Sequence, residues 1–125
     1  GNLTKYSKDD LEIGKKNVTL YKEIRHLVQF GDLYRILDAK KDEILFNLYV
    51  SEDKTEAVAF LASAGTSFMK KEIPLKFNGL DDDKIYTFNL NNRDYEKSGS
   101  YLKNVGIPTC IRGMGYNKII KIKEK

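Results

Sequence analysis

The hydrophobic period of this sequence changes once, near Gly31, and that change constrains the fold more than any other feature. From Ser7 to about Val28 the apolar residues recur at helical spacing. At about 100° per residue, Ile13, Leu20, Tyr21, Ile24, Leu27 and Val28 gather on one face of a helix, roughly a third of its circumference. Ser7 suits an N-cap, and Asp9 and Asp10 stand in the first turn, where the helix dipole favours negative charge. Gly31 follows the last periodic residue, at the place where helices stop. Leu11 and Val18 miss the stripe and share a different side. Two readings of them stand: scattered surface aliphatics, or a helix built to be covered on two sides.

After Asp32 the period drops to two. Leu33–Leu37, Ile44–Ser51, Ala57–Ala62, Ile73–Phe77, Ile85–Leu90 and Asn117–Lys123 read as strands. In the second, Ile44, Phe46, Leu48 and Val50 share one face; in the last, Ile120 and Ile122 alternate with Lys121 and Lys123. Turn residues separate them at 51–54, Ala64-Gly65-Thr66, Asn78-Gly79 and Asn91-Asn92. Short strands and short turns, with no helical stretch between them, predict antiparallel pairing. The expected fold is therefore mainly β: a long N-terminal helix followed by an antiparallel, Greek-key-like β-sandwich. Residues 93–115, with four glycines and Pro108, give no clear period.

At 125 residues and 41% hydrophobic, the chain has material for one ordinary core, and no window approaches the ~18 apolar residues of a membrane span. No membrane partner is expected. One cysteine excludes an internal disulfide framework and, with no leader pattern at the start, points to a reducing, cytoplasmic setting. The net charge of +4 is spread among interleaved acids rather than gathered on one stretch, except in the lysine-rich tail. A solvated edge strand accounts for that tail, so no nucleic-acid partner is expected.

The inventory for chemistry is short. His26 is the only histidine, so no histidine-based metal site can be assembled, and one histidine with one cysteine makes no zinc site. Cys110 reads as a small hydrophobe, and His26 as a surface residue near a helix end. Asp81-Asp82-Asp83 lacks the alternation of a calcium loop and reads as a turn; Gly113-Met114-Gly115 precedes a strand and reads as a turn or bulge. Asn2 and Asn17 each begin a glycosylation acceptor triplet, the second in mid-helix. Tyr6, Tyr86, Tyr95 and Tyr101 could stack on sugar rings if exposed, although strand tyrosines commonly close a core edge. No catalytic residue, cofactor or metal ligand is assigned. A free-standing carbohydrate-binding β domain is the alternative this inventory leaves open.

Four segments carry a resemblance. LYKEIRHLVQFGDLYRIL (Leu20 to Leu37), YVSEDKTEAVAF (Tyr49 to Phe60), LKFNGLDDDKIYTF (Leu75 to Phe88) and SGSYLKNVGI (Ser98 to Ile107) resemble, in order and approximate spacing, the C-terminal end of a retaining α-galactosidase of glycoside hydrolase family 36. The resemblance implies that residues 1–30 are the final helix of a (β/α)8 barrel and residues 31–125 a C-terminal antiparallel β domain. It implies a non-catalytic domain that braces the barrel of its parent chain, with galactosides met through the parent only. The two catalytic aspartates of the family stand at barrel strand ends, and no aspartate here matches them. A barrel needs about 250 residues, twice this chain. Leu11, Ile13, Val18, Leu20, Tyr21, Ile24, Leu27 and Val28 are then the expected interdomain packing residues, and an uncovered helix face predicts self-association into a homo-oligomer.

Overall fold

The computed structural model describes residues 8–37, 43–63, 71–111 and 115–125, with side chains described from Thr19 onward except that of Lys71. Ser7, Tyr6, the Asn2 triplet, Ala64-Gly65-Thr66 and Gly113-Met114 lie outside the described residues. The chain is mainly β, as its period predicts. Helix α1 (Lys8–Phe30) is followed by β1 (Asp32–Leu37), β2 (Ile44–Val50) and β3 (Glu56–Ser63). Then come β4 (Lys71–Leu75), β5 (Ile85–Leu90), β6 (Arg93–Ser98), a short helix α2 (Gly99–Asn104), β7 (Ile107–Ile111) and β8 (Asn117–Glu124).

Six strands form one antiparallel sheet in the order β1-β2-β3-β8-β5-β6, and β4 pairs with β7 in a second. The chain leaves the large sheet after β3 to build β4, returns as the β5–β6 hairpin, crosses through α2 to β7, and comes back as β8 between β3 and β5. The last strand therefore closes the centre of the sheet, with Ala57 opposite Ile122 and Phe60 opposite Ile119.

Alternation decides which face is which. Ile44, Phe46, Leu48 and Val50 of β2, Ala57, Ala59 and Leu61 of β3, and Ile120 and Ile122 of β8 point inward. They meet Leu75, Phe77, Leu102, Ile107 and Ile111 from the β4, α2 and β7 layer. Phe77 anchors the contact, edge-on to Phe46 at 5.3 Å and tilted on Phe88 at 5.4 Å.

Four elements depart from the sequence expectation. The fourth strand is Lys71–Leu75 rather than Ile73–Phe77, because Pro74 sits opposite Pro108 in a two-stranded sheet and Phe77 drops into the core beyond the strand's end. The stretch 93–115 holds two strands and a helix, although the sequence predicts no helix after residue 31. Ser98 caps that helix, its Oγ accepting from the Tyr101 N–H at 3.0 Å. Asn91 and Asn92 make the expected tight turn, both with positive φ (54° and 63°), as a two-residue type I′ hairpin requires.

Candidate interdomain face

The outer face of the large sheet changes character across its width. On β1, β2 and β3 it is largely apolar, carrying Leu33, Tyr49, Val58 and Phe60 with Arg35 and Asn47 beside Phe60. On β8 and β5 it carries Lys121, Lys123, Thr87 and Asn89, which with Asp94 and Glu96 of β6 line a cleft of about 530 Å³. Alternation puts polar side chains there, and α1 seats on the apolar part.

Ile24 and Leu27, one turn apart on the helix, bury against Val58, with Tyr49 and Phe60 packed around them. Tyr49 and Phe60 meet edge-to-face at 5.9 Å. Where the apolar surface ends, an ion cluster takes over: Lys121 Nζ lies 3.6 Å from Glu23 of the helix and 3.4 Å from Glu56 of β3. The helix end is pinned by Gly31, whose N–H donates to the Leu27 carbonyl at 2.7 Å. A Cβ there would stand 2.8 Å from the Val50 carbonyl oxygen, so glycine allows the close approach of helix to β2.

The eight residues expected at an interdomain face divide sharply. Ile24 and Leu27 are buried beneath the helix. Leu20, on the same side one turn earlier, is 38% exposed, because the apolar sheet gives out under it. Tyr21 (59%) and Val28 (40%) lie on the flank of the stripe and face away from the sheet. Phe30, which the sequence reading missed, is 68% exposed and stands on the opposite flank, about 180° around the helix from Tyr21. It follows the periodic residues by two, and only its own bulk next to Gly31 could have signalled it. The side chains of Leu11, Ile13 and Val18 lie outside the described residues. Each flank of the helix carries one ring contact: Arg25 sits 4.9 Å above Tyr21 on one, and His26 tilts on Phe30 at 5.1 Å on the other.

The other residues singled out by sequence serve the scaffold. Tyr86 is fully buried: its hydroxyl donates to the Lys54 carbonyl at 2.7 Å and accepts from the Asp81 N–H at 2.9 Å. Burial pushes the phenol's pKa above its ordinary value. Tyr95 is sandwiched between Phe88, stacked at 5.2 Å, and Arg93 at 5.4 Å, so only Tyr101 of the three described tyrosines keeps an exposed ring. Asp81 accepts from the Asp83 N–H at 3.0 Å and Asp82 pairs with Lys103 at 2.9 Å, the turn chemistry expected of that trio. Asp53 collects three donors, the Ser51 and Thr55 hydroxyls and the Thr55 N–H. Those bonds, led by the Thr55 hydroxyl, pull its pKa down to about 2. Cys110 is half-buried in β7 opposite Glu72.

Comparison with known proteins follows this architecture. A family model described as the glycosyl hydrolase family 36 C-terminal domain matches residues 46–113. Alpha-galactosidase AgaA of Geobacillus stearothermophilus is 33% identical over 68% of this chain and 12% of its own length. Alpha-galactosidase Mel36A of Lactobacillus acidophilus is 34% identical over the same shares. The crystal structure of AgaA superposes with a TM-score of 0.78 at 24% identity, over 98% of this chain and 17% of that one, a likeness of fold. The α-galactosidase from Lactobacillus brevis gives 0.74 at 26% identity, over 99% and 18%. The chain thus spans about one-eighth of the curated relatives it matches and belongs to glycosyl hydrolase family 36, whose C-terminal domain it carries.

Proposed function

We propose that this chain is the non-catalytic C-terminal domain of a retaining α-galactosidase, and that its α1 is the last helix of the parent's (β/α)8 barrel. On this reading residues 1–30 belong structurally to the barrel and residues 31–125 to the β domain. The parent removes terminal α-linked galactose from oligosaccharides such as melibiose and raffinose. The observation that carries the reading is the division of α1 into two apolar sides: Ile24 and Leu27 seated on the sheet, and Tyr21 and Val28, on the neighbouring flank, left exposed. A helix that ends one domain and opens the next needs two such sides.

Retention at the anomeric carbon requires two carboxyl groups ~5–5.5 Å apart, one attacking carbon while the other protonates the leaving oxygen. In the family reading both are aspartates at barrel strand ends, and none is assigned to this chain. Its contribution is positional. Seating α1 on a rigid sheet fixes one of the eight helices that surround the barrel, and displacements of about 1 Å at reacting groups cost up to ~100-fold in rate.

The test begins upstream of the Asn2 codon. A continuous reading frame encoding a (β/α)8 pattern with acids at strand ends is expected. The whole product should hydrolyse melibiose and an aryl α-galactoside, and the 125-residue chain should hydrolyse neither. Turnover by the purified 125-residue chain would overturn the reading, as would a stop codon followed by a native start immediately upstream.

A further inference from the structure

The far side of the molecule from α1 holds a second surface that the α-galactosidase reading does not use. Among the described residues, strand β6 ends the large sheet and pairs on one side only, with β5. Along its free edge runs a cleft of about 400 Å³, lined by five consecutive residues, Arg93 to Lys97. Tyr101 of α2 and Ile107 and Pro108 of β7 complete its lining. Consecutive residues point to opposite faces of a strand, so a cleft touching all five follows the backbone edge itself. Pro108 has no N–H to compete for that edge.

The charges on β6 are ordered and held. Arg93 lies over the Tyr95 ring at 5.4 Å and Lys97 over the Tyr101 ring at 4.6 Å, on the inner side. Asp94 accepts from Asn89 Nδ2 at 2.8 Å and Glu96 pairs with Lys125, on the outer side. Read along the strand, the pattern is positive, negative, apolar, negative, positive, a palindrome about Tyr95. Palindromy has a physical consequence. An antiparallel copy of β6 centred on Tyr95 sets Arg93 opposite Lys97 and Asp94 opposite Glu96, and like charges directly opposite repel. A second copy of this chain is therefore disfavoured in that register, whereas a strand of the inverse order is matched there.

We propose that the free edge of β6 is a strand-addition site for an extended segment of a partner protein. The segment's charges run acidic, basic, apolar, basic, acidic. The β6 backbone supplies the ladder of hydrogen bonds, and Arg93, Asp94, Glu96 and Lys97 select the partner and its register.

Two peptides of identical composition test this. One is Ser-Glu-Lys-Val-Lys-Glu-Ser; the other, Ser-Lys-Glu-Val-Glu-Lys-Ser, repeats the order of β6. Each is titrated into the ¹⁵N-labelled 125-residue chain at low salt. The first should give saturable amide shifts confined to residues 93–98, Tyr101 and 107–109, with affinity at least ~10-fold above the second and a difference that salt erodes. Exchanging all four charges on the strand (Arg93→Glu, Asp94→Lys, Glu96→Lys, Lys97→Glu) should reverse the preference. If that variant does not fold, the two peptides on the unaltered chain still decide. Equal affinities, shifts centred elsewhere, or no saturation by about 2 mM of either peptide would each refute the proposal, since strand addition of this size should reach that range. Raffinose moving the Tyr95 and Tyr101 amides where the peptides do not would refute it as well, and would make the cleft a sugar site.

Discussion

At the scale of single residues, the loops at one end of the sandwich are held by side chains that reach across sequence. Tyr86 joins the β2–β3 turn to the segment before β5 through its two hydroxyl bonds, 32 and 5 residues away. Replacing it with phenylalanine keeps the ring and leaves the Lys54 carbonyl and the Asp81 N–H short of a partner. Tyr86→Phe should cost about 1–3 kcal/mol, read as a lower urea midpoint with an unchanged m-value. Asp53 works by charge instead. Its folded pKa of about 2 lies below the ordinary 3.8, so its stabilisation is complete above about pH 4 and fades as the pH falls towards 2. The melting-temperature difference between the parent sequence and Asp53→Ala should therefore shrink over that interval and leave the neutral range flat. Both roles sit in residues whose type the sequence shows and whose partners it hides, because Lys54 and Tyr86 meet only once the sheet has formed.

At the scale of elements, the strands that were easy to read are those with one wet and one dry face. Strands β2 and β8 alternate cleanly, and the Asn91-Asn92 turn states its own geometry. Strand β6 could not be found by alternation, since RDYEKS has a single apolar residue; it is an edge, and edges are charged to prevent unwanted pairing. Strand β4 is legible with its bounds shifted by two residues, while β7 is obscured by Pro108, which a two-stranded sheet tolerates and a central strand would not. Helix α2 is too short to show a period, and its one local signal, Ser98 as cap, means little without the Gly99 that follows. A Cβ at Gly99 would overlap the Asp81 carbonyl, so glycine there records a close packing that no pattern announces. Helix α1 gives the element-scale prediction. It is held chiefly by Ile24, Leu27 and the Glu23–Lys121 pair, and Leu27 is the most buried of these. Leu27→Ala should cost about 2–3 kcal/mol of docking. The loss should appear first as faster amide exchange along α1, with the exchange of β2, β3 and β8 changed much less.

At the scale of the whole molecule, two surfaces differ in how they treat a second copy of the chain. The β6 edge opposes like charges when an antiparallel copy is centred on Tyr95. The α1 flank has no such device: Tyr21 and Val28 present aromatic and aliphatic surface, with the part-exposed Leu20 at its border and Arg25 over the Tyr21 ring. Hydrophobic contact is non-directional, so on the proposed reading a face that packs on a barrel also accepts its own twin in the isolated chain. The isolated chain should therefore sediment as a concentration-dependent mixture of monomer and dimer. Leu20→Glu with Val28→Glu should leave it monomeric. Because those side chains are exposed, the pair should leave the melting temperature of the monomer within a few degrees of the unaltered chain. Placed in a whole enzyme, the same pair meets the barrel rather than solvent, and there it should lower both the melting temperature and kcat. A pair that is silent in the fragment and costly in the enzyme would locate the second cover of α1 in the barrel. An unaltered chain that stays monomeric at every concentration, with an enzyme indifferent to the pair, would leave α1 with only one covered side and remove the structural reason for joining it to a barrel.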